Sequence, residues 1–242
     1  MTYQKTGVLI ISVYFPPLQH IAANRMHAFA KYLDKDKYNV FVLTLKNQVG
    51  EEVDLEGVTI VREPNDSFFK RASFSSKDGR LVHKLKASYN VALSKIGIDP
   101  YMGWIRSGMR STKRLIDEKD VSVIISSYGP IAPLIVGLYL KELYGSQIKW
   151  IVDMRDEFDE DRRRRWFAPL NRKHRLRREV LLKCDALISV SRPLLESFKS
   201  RVDDEKCMLR EVRNGYDFDI PIGKPRKVRD YFRIVYAGSF YG

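Results

Sequence analysis

Apolar residues gather along this chain in short, continuous, β-branched runs at positions 8–13, 40–45, 121–126, 148–153 and 186–190. Strands covered on both faces read this way, because neither face needs a polar residue. Weaker runs at 58–61 and 208–212 add two further strands. Between them the period changes. Ala22, Met26, Phe29, Ala30 and Leu33 recur at helical spacing and line one side of a helix. Residues 101–119, 131–144 and 170–184 are further helix candidates. Strands alternating with helices predict right-handed crossovers in an α/β, doubly wound, mostly parallel, Rossmann-like sheet.

Two stretches interrupt the alternation. Residues 62–98 place Phe68, Phe69 and Phe74 among Ser, Lys and Arg. They read either as a long insertion or as a loop followed by an amphipathic helix near 81–96. Residues 216–230 are rich in Pro, Gly and charge and read as a linker. The expected organisation is an N-terminal domain over 1–217, a linker over 218–230, and the first strand and turn of a truncated second domain over 231–242.

The composition narrows the class. Hydrophobic residues make up 44% of the 242 positions, enough for a substantial core. The longest apolar stretch, 131–140, contains Pro133 and is too short to span a bilayer. The N-terminal apolar run lacks a small-residue cleavage site, so it does not read as a signal peptide. Cys184 and Cys207 lie far apart in sequence without metal-ligating neighbours, which fits a reducing cytoplasm. The net charge of +13 points towards an anionic partner.

That charge is unevenly spread. Residues 162–178 supply nine Lys or Arg and no acid, directly after six carboxylates in 153–161. Local neutralisation is one reading. The other is an interfacial membrane patch made by Arg162, Arg163, Arg164, Arg165, Trp166 and Phe167, which would hold the protein peripherally on the inner face of the plasma membrane. No nucleic-acid motif accompanies the stripe, so nucleic acid is not the expected partner.

In an open α/β sheet ligands bind beyond the carboxyl ends of the strands, and four post-strand segments qualify. The first, 14–25, leads into a helix N-terminus that favours anions, with His20, Asn24 and Arg25 as donors to phosphate; a Pro-stiffened loop with a solvated Arg25 is the bland alternative. The second, Ser126-Ser127-Tyr128-Gly129-Pro130, offers hydroxyls to a sugar or is simply a capped turn. The third, Asp153-Met-Arg155-Asp156, either positions a polar substrate or is an internal salt-bridge lock on the loop; Asp153 fits the structural part better, Arg155 and Asp156 the ligand-binding one. The fourth, Arg213-Asn-Gly-Tyr-Asp217, is a turn signal. The acidic pair Asp217 and Asp219 has no companion ligands, and no metal is expected there.

Eight segments in order resemble the N-terminal half of GT-B glycosyltransferases, in the retaining group called family-4-like. They are Leu9-Ile-Ile-Ser-Val-Tyr-Phe-Pro-Pro17 with the later Arg25, Phe29-Ala-Lys-Tyr-Leu33, Asp99-Pro-Tyr-Met-Gly-Trp104 and Val123-Ile-Ile-Ser-Ser127. Trp150-Ile-Val-Asp-Met-Arg-Asp156, Cys184-Asp-Ala-Leu-Ile-Ser-Val-Ser191, Arg213-Asn-Gly-Tyr-Asp217 and Ile234-Val-Tyr-Ala-Gly-Ser-Phe-Tyr-Gly242 complete the set. Where such enzymes carry a Gly-Gly pair in the first loop, this chain has Gln19-His20-Ile21; Glu157-Phe158 stands where Pro-Trp is common. The resemblance implies a nucleotide-sugar donor, a saccharide or lipid-linked acceptor, a role in surface polysaccharide or glycolipid synthesis, and no metal or other cofactor. It places Arg25 and the first loop at the donor phosphates, Ser127 and Tyr128 at the acceptor or donor sugar, Arg155 and Asp156 at the acceptor, and Gly238 and Ser239 at the start of a donor phosphate loop. By this reading the 242 residues alone would turn over no donor. The competing class is a non-catalytic basic α/β module that docks on anionic membrane or nucleic acid.

Overall fold

The computed structural model describes residues 4–18, 21–46, 54–66, 79–95, 100–158, 172–203, 205–215 and 231. Seven strands form one sheet: β1 (Thr6–Ile11), β2 (Tyr38–Leu45), β3 (Val58–Glu63), β4 (Val121–Ser127), β5 (Lys149–Met154), β6 (Ala186–Ser189) and β7 (Met208–Glu211). Every pairing is parallel, and the order is β3-β2-β1-β4-β5-β6-β7. The chain builds outwards from β1 in one direction, returns to β1, and then builds in the other. The direction of winding therefore reverses between β1 and β4, which opens a crevice at their carboxyl ends. The doubly wound parallel α/β fold expected from the pattern is the fold observed.

Among the described residues six α-helices connect or cover the strands: α1 (Ile21–Tyr32), α2 (Arg80–Lys95), α3 (Met102–Lys119), α4 (Ala132–Tyr144), α5 (Arg172–Lys183) and α6 (Arg192–Lys199). Of the two readings of 62–98, the loop followed by an amphipathic helix holds for the described part; Phe68, Phe69 and Phe74 lie outside the described residues. Pro133 starts α4 rather than interrupting it, since it stands in the first turn, where its missing N–H costs nothing. The helix α6 was not expected. It is only eight residues long, and its signals are Ser191 in extended conformation at the cap and Pro193 in the first turn.

Alternation along β1 divides the core. Leu9 and Ile11 join a cluster with Trp104 of α3, Leu134 of α4 and Val180 of α5, while Val8 and Ile10 meet Met26 and Ala30 of α1. Successive side chains of a strand point to opposite faces, so one run of apolar residues feeds two layers of helices. Helix α4 approaches the sheet most closely at Gly137, where an added Cβ would stand 2.4 Å from both Ser126 Oγ and Trp150 Nε1. Those two atoms are joined by a hydrogen bond from the indole N–H to the hydroxyl, 3.0 Å long. The two cysteines, distant in sequence, meet: Cys184 and Cys207 are buried free thiols with sulfurs 3.5 Å apart. Its hydrogen bond with Cys207 and burial together push the Cys184 thiol up.

Candidate functional site

The carboxyl ends of β1, β4 and β5 lie side by side, as the register Ser127↔Asp153 requires. They bring together residues from three of the four segments singled out above; α1 adds Arg25, and the fourth segment reaches it through Arg213 and Asn214. Two arginines, Arg25 and Arg155, approach this edge and meet different environments.

Arg25 does not lie open to a phosphate. It is 6% exposed, and its guanidinium is held by Asp153 through Nε at 3.0 Å and Nη2 at 2.8 Å to the same Oδ1. Its Nη1 donates to Asn214 Oδ1 at 3.1 Å and to the Arg213 carbonyl at 3.3 Å, and Phe29 stacks against its face. Every nitrogen of the group has an acceptor inside the protein. Where the sequence led us to expect a phosphate at Arg25, a buried carboxylate stands as its counter-charge within the fold. The solvated alternative is excluded by the same burial. Asp153, wholly buried, plays the structural part expected of it, although its cation is Arg25 rather than the neighbouring Arg155. Ser127 is also drawn inward. It is buried, and its hydroxyl donates to Asp153 Oδ2 at 3.3 Å.

Arg155 is arranged otherwise. Its Nη2 donates to the carbonyl oxygens of Tyr128 at 2.7 Å and Gly129 at 3.3 Å. Its Nε is buried and has no partner among the described residues. Burial pushes the guanidinium below its ordinary value, against Asp153 and Asp156, which pull it back up; the cation of Arg25 opposes them. A cation desolvated more than its carboxylates repay is receptive to a further acceptor. The neighbouring loop is shaped to admit it. Gly129 has φ of +93°, and a Cβ there would come within 3.2 Å of Arg155 Nη2, so both conformation and contact favour glycine.

Tyr128 donates its backbone N–H to the Asp153 carbonyl at 2.9 Å, and its ring meets Phe158 edge-on at 5.0 Å. Asp156 and Glu157 are exposed beside it. Across the crevice, the hydroxyls of Tyr14 and Tyr101 lie 3.4 Å apart, and Arg62 Nη2 donates to the Pro16 carbonyl at 3.0 Å, tying the first loop to β3. Asn24 is exposed in the first turn of α1.

The structure therefore brings Arg25, Ser127, Tyr128, Arg155 and Asp156 to one edge, where Arg25 and Ser127 are buried, Tyr128 and Arg155 half-buried and Asp156 exposed. His20, Gly238, Ser239, the stretch from Arg162 to Phe167, and Asp217 with Asp219 lie outside the described residues. Sequence reading missed Asn214 as a clamp on Arg25. Its only signal was an Asn-Gly turn after β7, which says nothing about a partner 189 positions away. Among the described residues no cluster of three or more His, Cys, Asp or Glu is placed to hold a metal ion, and no helix is long and apolar enough to cross a membrane.

Fold and edge together define a doubly wound parallel α/β domain with paired and half-buried charged residues at its winding reversal. No protein-family model matches the chain, and no curated protein matches it. Among solved structures, the chain is similar to the crystal structure of a glycosyltransferase from Rickettsia africae ESF-5, with 13% identity and a TM-score of 0.48. The match covers 86% of this chain and 43% of that one, so the chain spans less than half of that protein's length.

Proposed function

We propose that the chain is the acceptor-side domain of a glycosyltransferase, which moves a sugar from a nucleotide-sugar to a saccharide or lipid-linked acceptor in surface polysaccharide or glycolipid synthesis. The observation that carries this reading is Arg155, a partly buried guanidinium with an unpartnered Nε at the carboxyl edge of β5. The sequence resemblance supports it, and the site lies where a doubly wound sheet receives ligands.

Sugar hydroxyls both donate and accept, so a guanidinium and a carboxylate side by side suit them. In this reading Arg155 donates to the acceptor, Asp156 accepts from it, and Tyr128 forms the wall. His20 and Asn24 approach the donor from the first loop. Residues 218–230 link to a donor-binding domain that begins at 231–242, with Gly238 and Ser239 in its phosphate loop. The reaction breaks the bond between the sugar's anomeric carbon and the diphosphate and forms one to an acceptor oxygen. Helix N-termini and basic side chains stabilise the departing diphosphate, so the reaction needs no metal.

The test is an NMR titration of the chain with hexoses, a short-chain lipid-diphosphate-linked sugar, and UDP-, GDP- and ADP-sugars. Amide shifts at Tyr128, Arg155 and Asp156 that disappear in Arg155→Gln are the expected result. Absence of shifts with every probe, or shifts unchanged in Arg155→Gln, would overturn the assignment.

A further inference from the structure

Helix α2 buries little of its apolar surface. Leu81, Val82, Leu85 and Tyr89 are 72, 44, 63 and 42% exposed. None of its described residues enters either hydrophobic cluster. The four side chains are nonetheless not scattered. At a rotation of about 100° per residue, positions 81, 85, 89 and 82 share one arc of roughly 100°. They form a continuous stripe that lies, among the described residues, outside both hydrophobic clusters.

The charges around the stripe are of one sign. The helix sequence contains Arg80, Lys84, Lys86 and Lys95 and no Asp or Glu. Lys84 and Lys86 border the stripe on opposite sides, with Arg80 one turn before Lys84. A helix meant for water would mix both signs along its surface. A second copy of the chain is a poor occupant: two such stripes face to face would crowd lysines and arginines together with no carboxylate on the helix to pair them. Nucleic acid would match the cations and leave the apolar stripe without a partner.

We propose that α2 docks the protein on an anionic lipid surface. The helix lies in the plane of the interface, with Leu81, Val82, Leu85 and Tyr89 towards the acyl chains and Arg80, Lys84 and Lys86 level with the headgroup phosphates. Long basic side chains can keep their stems on apolar surface while their charges reach the phosphates, and a tyrosine ring suits the same depth. Apolar burial and charge attraction act on one face, so neither neutral lipid nor a soluble polyanion satisfies it fully. Docking would bring a lipid-linked acceptor to the crevice, yet it requires no sugar chemistry.

The experiment is flotation of the 242-residue chain with phosphatidylcholine vesicles and with vesicles containing about one-third phosphatidylglycerol, at about 0.15 M salt. Binding is expected on the anionic vesicles only. Leu81→Ser with Leu85→Ser should weaken it at least tenfold, and so should Lys84→Glu with Lys86→Glu. All four positions lie outside the hydrophobic clusters, so thermal melts of both variants should match the parent and exclude misfolding. A variant with Arg162, Arg163, Arg164 and Arg165 changed to Ser should still float. No flotation of the parent, equal flotation on neutral vesicles, or undiminished flotation of both α2 variants would overturn the proposal. So would loss of flotation in the arginine variant alone, or a dimer in solution that Leu81→Ser dissociates.

Discussion

The two ends of β5 each place a carboxylate among cations, and they do so in opposite ways. At the carboxyl end Asp153 and Arg25 are sealed from water, with side-chain exposures of 0 and 4%. At the amino end Asp185 meets Lys141 at 2.7 Å and Lys149 at 3.3 Å in a setting that water reaches. Open α/β sheets bind ligands at the carboxyl edge, so an arginine there invites a ligand role. The comparison shows why Arg25 does not take it. Desolvation forces a buried cation to find its counter-charge within the fold, and Asp153, Asn214 and the Arg213 carbonyl leave none of its nitrogens over. Arg155, on the same edge, keeps an unsatisfied donor.

The sharpest way to break this contrast is to remove one partner of the sealed pair. Asp153→Ala leaves Arg25 buried without a counter-charge and should cost about 3–5 kcal/mol in urea unfolding. Arg25→Met combined with Asp153→Leu should recover most of that loss, because no stranded charge remains. A cost below about 1 kcal/mol for Asp153→Ala would show that water enters the pair in solution.

Packing at the wet end sets the next effect. Gly137→Ala drives a methyl group into the Trp150–Ser126 hydrogen bond, against the buried side of the strand whose first residues Asp185 flanks. It should cost about 1–3 kcal/mol in thermal or chemical denaturation. A neutral result would mean that α4 slides away from the sheet at no cost.

Asp185 itself should matter less and should depend on pH. Burial works to raise its pKa, but the Lys141 ammonium, the Trp150 backbone N–H and Lys149 outweigh burial and hold the carboxyl below its ordinary value. A folded-state pKa below the unfolded one means that the contribution is complete above about pH 4 and fades as pH falls through the folded value. The parent should exceed Asp185→Asn by up to about 1 kcal/mol at neutral pH. Denaturation curves across acidic pH should show the gap closing, and a gap that persists in strong acid would assign it to packing.

The smallest expected change in stability belongs to Arg155. Arg155→Gln removes hydrogen bonds to two carbonyls together with a desolvated charge, and these nearly offset each other, leaving about 0.5 kcal/mol or less. Arg25→Gln, read in the same urea titration, should cost several times more. Equal losses would erase the distinction between a structural and a ligand-facing arginine.

The pattern of apolar residues determined the secondary structure because that information is local. A continuous β-branched run needs burial on both faces, and helical spacing needs one, whatever the rest of the chain does. All seven strands, including the weak runs that became β3 and β7, were legible in this way. Helix α6 was not, since eight residues around a proline leave little period to read. The motif segments were legible as well, and their order implied that they would gather at one edge.

Their roles were another matter. Arg25 and Arg155 both follow strands and carry the same group. What separates them is a contact between Arg25 and Asp153 across 128 positions, formed only when β1 and β4 lie adjacent and bring α1 over β5. The meeting of Cys184 and Cys207 depends likewise on β6 pairing with β7. Periodicity along a chain records which faces must be buried. The partner a buried charge finds is decided by which faces meet, because desolvation and Coulomb energy depend on distance in space and not on distance in sequence.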